Sequence, residues 1–525
     1  MTATTTSAEI FVGLGALTPD DVLAVARRDA RVTIGDDALA AMAESRAIVD
    51  SLAASDRPHY GVSTGFGALA STYIAFEDRA RLQRSLVRSH AAGSGAEMDR
   101  EVVRALMLLR LSTLATGRTG ARPIVAQTYA DILNAGITPV VGEYGSLGCS
   151  GDLAPLSHCA LVAMGEGDAR TADGTLVPAA TALAAAGITP LDLREKEGLA
   201  LINGTDGMLG MLLMAIRDLT ALVATADLAV ALTIEGLRGT DTVFAADLQD
   251  LRPHPGQAVS AANIRAVLDG SGLISTRSTM PFTRVQDAYS LRCAPQVHGA
   301  VRDTLDHAAL VAGRELASAI DNPVVTLDGR LESNGNFHGA PVAYVLDFLA
   351  IAVADLASIS ERRTDRMLDV SRSHGLNAFL AADPGIDSGH MIAQYTQAGI
   401  VSELKRLANP ASVDSIPSSA MQEDHVSMGW SAAVKLRRAV DGLTRVLAIE
   451  LLSACRAIDM RTAVSDDAPS PVARSVIAVL RDRVAGPGGD RHLSPEIAET
   501  VALVRSGALL DAARDTAARA GRSID

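Results

Sequence analysis

An all-α fold, with a central bundle of long helices preceded by a mainly helical N-terminal region, is what three features of this 525-residue sequence predict. Segments 204–238, 297–319, 340–366, 388–408 and 425–460 hold no proline beyond a first helical turn and are apolar on most faces, as buried bundle helices are. Sustained alternation of apolar and polar residues is sparse, so strands are few. Hydrophobic residues make up 48% of the chain but aromatics only 3%, so the core is built from Ala, Val, Leu and Ile. At roughly 150 residues per domain the length allows about three domains. The pattern places them at 1–200, 201–460 (the long helices) and 461–525 (a C-terminal helical segment).

Along the chain, Thr18-Pro19-Asp20-Asp21 opens the first helix with a cap, a proline at the first helical position and an acid three residues on. Leu39, Met42, Val49 and Leu52 follow at helical spacing. Polar, glycine-rich interruptions fall at 57–67, 142–152, 202–207, 269–296, 321–338 and 409–424, with a turn at 485–490. In a helical scaffold such interruptions carry chemistry that the packed helices position.

Composition excludes several classes of function. Lys and Arg number 47 against 61 Asp and Glu, a net charge of −14, which argues against nucleic acid as a partner. Cys149, Cys159, Cys293 and Cys455 are scattered without a Cys-x-x-Cys pair or a histidine at zinc spacing, so no disulfide framework or metal is expected and a reducing cytoplasm fits. The N-terminus lacks the basic start and apolar run of a signal peptide. The apolar stretches 218–238 and 340–359 contain Asp218, Asp227 and Glu235, or Asp347 and Asp355, which favours buried helices over membrane spans. Lysine occurs only at 196, 405 and 435, and none follows a glycine-rich loop. Lys196 and Lys435 read as solvated helix faces, leaving no Schiff-base lysine for pyridoxal phosphate.

The most unusual segment is Gly145-Ser146-Leu147-Gly148-Cys149-Ser150-Gly151-Asp152-Leu153. It matches neither a dinucleotide loop, a P-loop nor a nucleophile elbow. A tight turn or an anion-binding nest is one reading. A second is chemical: attack of the Gly151 amide nitrogen on the Cys149 carbonyl closes a five-membered ring, the carbonyl oxygen leaving as water, and loss of a further water from Ser150 leaves an exocyclic methylene. Glycine permits the backbone approach that closure needs, and the first residue's side chain stays outside the ring.

This segment resembles the Ala-Ser-Gly loop from which the histidine and aromatic amino acid ammonia-lyases form 4-methylidene-imidazole-5-one (MIO), with Cys149 in place of Ala. The resemblance runs along nearly the whole chain, through His59-Tyr60-Gly61-Val62-Ser63-Thr64-Gly65-Phe66-Gly67, Ser89-His90-Ala91-Ala92-Gly93, Asn203-Gly204-Thr205, Gln286-Asp287-Ala288-Tyr289-Ser290-Leu291-Arg292, Gly335-Asn336-Phe337-His338 and Met421-Gln422-Glu423-Asp424-His425. It implies an all-α homotetramer with shared active sites, its MIO loop in the N-terminal region, using MIO made from Cys149, Ser150 and Gly151 and no external cofactor.

Among the residues so implied, Tyr60 is the catalytic acid/base on a glycine-rich lid. A tyrosine of ordinary pKa, about 10, is a poor base at neutral pH, so its pocket is expected to lower that value. Arg292 pairs with the substrate carboxylate, Gln286 also binds substrate, Asn203 and Tyr289 orient the substrate and the MIO group, and Phe337 packs on the substrate ring. Tyr289 and Arg292 share a helical face if Gln286 to Arg292 is helical. Where phenylalanine-specific relatives carry an apolar pair and a glutamine, this chain has Ser89-His90 and Glu423, two groups able to satisfy both nitrogens of an imidazole. Left unpaired, each buried nitrogen costs roughly 1–3 kcal/mol. The resemblance therefore implies L-histidine as substrate, with trans-urocanate and ammonia as products and an opening role in histidine degradation.

The nearest alternative is a tyrosine or phenylalanine ammonia-lyase, or a 2,3-aminomutase, with the same group. A fumarase-like reading of Ser278-Thr279-Met280-Pro281 lacks the Lys and Asn expected after it. Asp206 and Met421 depart from the family pattern and are expected to reshape the pocket if they face it.

Overall fold

The computed structural model describes residues 9–55, 58–149, 151–278 and 285–525. Ser150 lies outside that range, as does most of the fumarase-like Ser278–Pro281 run. The long helices form where apolar periodicity was unbroken: Asp206–Gly236, Ala294–Leu316, Ala340–Leu368, Met391–Leu407 and Gly429–Thr462. Strands among the described residues are two to four residues long. The stretches Glu197–Gly236 and Ala340–Leu368 are long and apolar enough to cross a membrane, yet 72% and 61% of their most apolar windows are buried inside the protein.

By contact density the chain forms two units, each assembled from three stretches of sequence. The first comprises residues 1–214, 309–347 and 410–434. It opens with strand Glu9–Val12 parallel to Arg31–Ile34, Ile10 opposite Val32, joined by helix Pro19–Arg28. The Thr18 cap is a full capping box: the Asp21 N–H donates to Thr18 Oγ1 at 3.2 Å and the Thr18 N–H to Asp21 Oδ2 at 2.9 Å. Helix Arg100–Ala115 is buried at every residue from Val102 onward. It includes Arg104, whose guanidinium is satisfied by the carbonyls of Val25 and Leu133. Three helices, Arg79–His90, Leu153–Ala163 and Glu197–Ile202, pack on one another. They carry, at or just beyond their ends, His90, the glycine-rich serine loop and Asn203.

The second unit comprises residues 215–308, 348–409 and 435–525. Helices Pro255–Leu268, Pro471–Arg481 and Ala508–Arg519 pack together there. A largely buried polar network ties its helices. Arg363 donates to both oxygens of Glu450, which also accepts from Thr233, while Asp227 accepts from His298, Arg302 and Asn263. Each buried charge is paired, as burial at low dielectric requires. Lys435, expected on a solvated face, is half-buried and donates to the Leu407 and Asn409 carbonyls, closing the end of helix Met391–Leu407.

Candidate active site

Five of the sequence interruptions meet in the first unit around a cavity of about 940 Å³, lined among others by Tyr60, His90, Cys149, Asn203, Phe337 and Glu423. This is the arrangement expected of a binding site, a mostly apolar hollow with a few converging polar groups.

The serine loop is held by its neighbours in a shape that only glycine allows. Gly148 and Gly151 adopt φ of +68° and +76°. A Cβ at Gly151 would lie 2.1 Å from the Gly204 carbonyl oxygen, so the backbones of the 145–152 and 202–207 turns touch directly. The Asp152 N–H donates to that same Gly204 oxygen at 2.7 Å. Met428 N–H donates to Leu147 O, while the Ser427 hydroxyl and Gly339 N–H both donate to Gly148 O. Asp152, fully buried, accepts from Ser146 Oγ and from the N–H groups of Gly207 and Met208, each at 2.9 Å. Its carboxylate thereby caps the start of helix Asp206–Gly236. Burial pushes its pKa up to about 7, against the pull of those donors.

The Tyr60 hydroxyl accepts from the Gly67 N–H at 3.3 Å, and its ring meets Phe66 edge to face at 6.3 Å between centroids. The expected lowering of its pKa does not occur. Burial raises it, and the negative charges of Glu423 and Asp321 add to the rise, while the Gly67 N–H opposes it. His90 ends helix Arg79–His90, with Nδ1 3.0 Å from Ser89 Oγ. Burial lowers its pKa, with the Glu423 charge opposing, so its imidazole is neutral at pH 7. Glu423 Oε2 accepts from the Ser418 hydroxyl at 3.0 Å and from the Cys149 thiol at 3.2 Å. A two-way backbone bridge between Ser418 and Glu423 fixes the loop that bears this carboxylate. The Asn203 Nδ2 donates to Asn322 O at 3.0 Å, while its Oδ1 is buried with no hydrogen-bond partner among the described residues.

Gln286, Tyr289 and Arg292 belong to the second unit and are not among the residues lining this cavity. The helix there spans only Tyr289–Arg292, so Gln286 precedes it. The Arg292 guanidinium lies over the Tyr289 ring at 4.6 Å. Its Nε is buried without a hydrogen-bond partner among the described residues. Gln286 and Arg292 line a smaller cavity of about 250 Å³ together with Thr240 and Asp287.

Neither Asp206 nor Met421 faces the cavity. Asp206 pairs with fully buried Arg110 at 3.3 Å, and Met421 is 67% exposed. Sequence reasoning missed Asp152, Arg110 and Asp321. It also placed Lys196 on a solvated face, whereas Lys196 is fully buried against Asp321. The Arg-Glu-Lys-Glu context gave no sign of that partner, which lies 125 residues away.

The residues flanking the serine suit the ring. Gly151 is pressed backbone to backbone, Cys149 is 6% exposed with its side chain turned to Glu423, and the unpartnered Asn203 Oδ1 lies in the turn that contacts Gly151.

Comparison with known proteins shows the family. The aromatic amino acid lyase profile matches residues 17–482. A curated histidine ammonia-lyase of Streptomyces coelicolor is 66% identical over 96% of this chain and 98% of its own length. Among solved structures, a tyrosine aminomutase from Streptomyces globisporus superposes with TM-score 0.91 at 38% identity, covering 97% of this chain and 99% of that one. The histidine ammonia-lyase of Trypanosoma cruzi superposes at 0.89 and 37%, covering 97% and 95%. A profile match over most of the chain, together with such relatives, leaves one conclusion: this protein belongs to the aromatic amino acid lyase family.

Proposed function

We propose that the chain eliminates ammonia from L-histidine to give trans-urocanate. The observation that carries this reading is the 66% identity over nearly full length to a curated histidine ammonia-lyase, in a chain whose cavity is lined by both His90 and Glu423. The family uses a methylidene-imidazolone group, and here Cys149, Ser150 and Gly151 are its source; once formed, the group supplies an electrophilic methylene that activates the substrate for elimination.

The chain's own side chains do the remainder. Tyr60 takes the β-hydrogen on its hydroxyl oxygen, acting as the phenolate. Neutral His90 and the Glu423 carboxylate bind the two imidazole nitrogens, one as acceptor from a ring N–H and the other as partner to the second nitrogen. Phe337 packs on the ring, and Asn203 offers an acceptor through Oδ1. Gln286, Tyr289 and Arg292 reach the site from other copies of the chain in a homotetramer, where the Arg292 fork holds the substrate carboxylate.

The test is a near-ultraviolet time course of the purified protein with L-histidine, beside Ser150→Ala. Urocanate from the wild type and none from the variant is the expected result. Turnover of L-tyrosine in place of L-histidine would transfer the reading to the tyrosine-specific branch represented by the aminomutase.

A further inference from the structure

One buried ion pair in the first unit connects by separate routes to two cavity residues. Lys196 and Asp321 are both fully buried, with Nζ 2.5 Å from Oδ2. The other carboxylate oxygen, Oδ1, accepts the Asn322 N–H at 2.8 Å, and Asn322 O in turn accepts Nδ2–H of Asn203. Asn334 braces the same turn, donating from N–H to Asn322 Oδ1 and from Nδ2 to Asp321 O. Arg110 staples it to the Asn203 turn through the carbonyls of Ala200, Asn203 and Ile320. One N–H of the Asn203 amide is thus committed to Asn322 O, and Oδ1 is left as a buried acceptor without a partner among the described residues.

The second route runs to Tyr60. Its neighbour Gly61 has φ +75°, and a Cβ there would meet Leu199 Cδ2 at 2.8 Å, Pro323 Cδ at 3.2 Å and Lys196 Cδ at 3.5 Å. The lid loop therefore rests on the lysine stem and on the proline that follows Asn322. The Asp321 charge also acts on the Tyr60 hydroxyl. A buried pair of this kind adds little stability over apolar side chains of equal volume, but its directional contacts hold neighbouring groups in one geometry.

We propose that the Lys196–Asp321 pair is a positioning element that holds the Tyr60 loop and the Asn203 carboxamide in one fixed relation. Neither residue touches substrate; each acts through its neighbours, and the role rests on the elimination chemistry proposed above.

The decisive variant is Lys196→Met with Asp321→Asn. It removes both charges together, so no uncompensated ion is buried, and the introduced carboxamide keeps an oxygen for the Asn322 N–H. Expected is a folded protein whose intact mass shows the loss of two waters at the ring, with kcat down about 30-fold and KM changed less than about threefold, the pattern of lost alignment rather than lost binding. A ring-bearing variant with kcat within about twofold of wild type overturns the proposal. So does a loss of activity that tracks an unclosed ring. If the double variant does not fold, Asp321→Asn alone carries the same comparison, because burial already lowers the pKa of Lys196 and removing the Asp321 charge withdraws the opposing pull. Failure of both to fold assigns the pair to stability and overturns the proposal too. Wild type is run beside them with L-histidine and L-tyrosine. Consumption of tyrosine alone refutes the histidine reading yet leaves the kcat comparison intact on that substrate, and consumption of neither refutes both.

Discussion

At the residue scale, the proposed choice of substrate rests on where a carboxylate sits in a mostly apolar hollow. Glu423 is fixed by the Ser418 hydroxyl and the Cys149 thiol on one oxygen. Glu423→Gln replaces an anionic acceptor with an amide, and a charged hydrogen bond lost in a buried site costs roughly 1.5–3 kcal/mol, so kcat/KM for L-histidine is expected to fall about 10- to 150-fold. An equal loss with L-tyrosine would show that Glu423 serves the fold or the chemistry rather than the imidazole. Cys149→Ala removes only a weak S–H donor, so its effect is expected on KM, about two- to fivefold, with ring closure intact. Tyr60 gives a pH expectation. Its pKa lies above the ordinary 10.0 because burial disfavours the phenolate, and a base that must be ionised gains activity as pH rises toward that value. The pH profile of kcat is therefore expected to climb through the alkaline range and to flatten in Tyr60→Phe, whose residual rate has no phenol to titrate. These proposed roles come from the sequence only through the family's motifs. The sign of the Tyr60 shift was not readable at all, because it depends on burial and on Asp321, which lies far along the chain.

At the element scale, what was legible is what has a period or a cap. The long helices announce themselves through unbroken apolar faces, and the first short helix through its Thr-Pro-Asp-Asp start, found as a complete capping box. The strands were illegible since pieces such as Thr138–Pro139 or Val324–Val325 are too short to alternate. The serine loop was legible as a glycine pattern, but the reason for each glycine lies in another element. Gly151→Ala would drive a methyl into the Gly204 carbonyl in a backbone region that resists side chains. The expected outcome is a protein that cannot set the loop, seen as an intact mass with no loss of water; a normally dehydrated, active variant would disprove that packing. A second element-level expectation concerns Glu235, near the end of helix Asp206–Gly236, which accepts the Ser470 N–H and whose pKa burial pushes up to about 7. Its folded value exceeds the unfolded one, so the folded state binds the extra proton. The buried carboxyl therefore costs nothing below about pH 4 and increasingly destabilises as pH rises toward 7. Glu235→Gln has no such titration, so its Tm relative to wild type is expected to improve steadily between those pH values. A pH-independent difference would place Glu235 in a more polar setting than the structure gives it.

At the scale of the whole molecule, the informative fact is a division of labour along the chain. Tyr60, His90, Cys149, Asn203, Phe337 and Glu423 line the cavity of one unit, whereas Gln286, Tyr289 and Arg292 belong to the other. Arg292 is held over Tyr289 with a buried Nε that has no partner among the described residues, and Tyr289 is 71% exposed. A cation arranged this way, beside an exposed phenol, suits an anionic ligand supplied from outside its own unit. If copies of the chain complete one another's sites, two different inactive variants must repair each other. Tyr60→Phe and Arg292→Ala, each expected to lose most activity alone, are co-expressed with different tags and purified as hybrids. Random assembly leaves about one site in four with both wild-type residues, so close to a quarter of wild-type kcat is expected in the hybrid pool. Mixing the separately purified variants without exchange of copies supplies the baseline. Hybrids confirmed by both tags yet no more active than that baseline would mean that Tyr60 and Arg292 serve a given substrate from the same copy, and the shared-site reading would fall while the elimination chemistry stood.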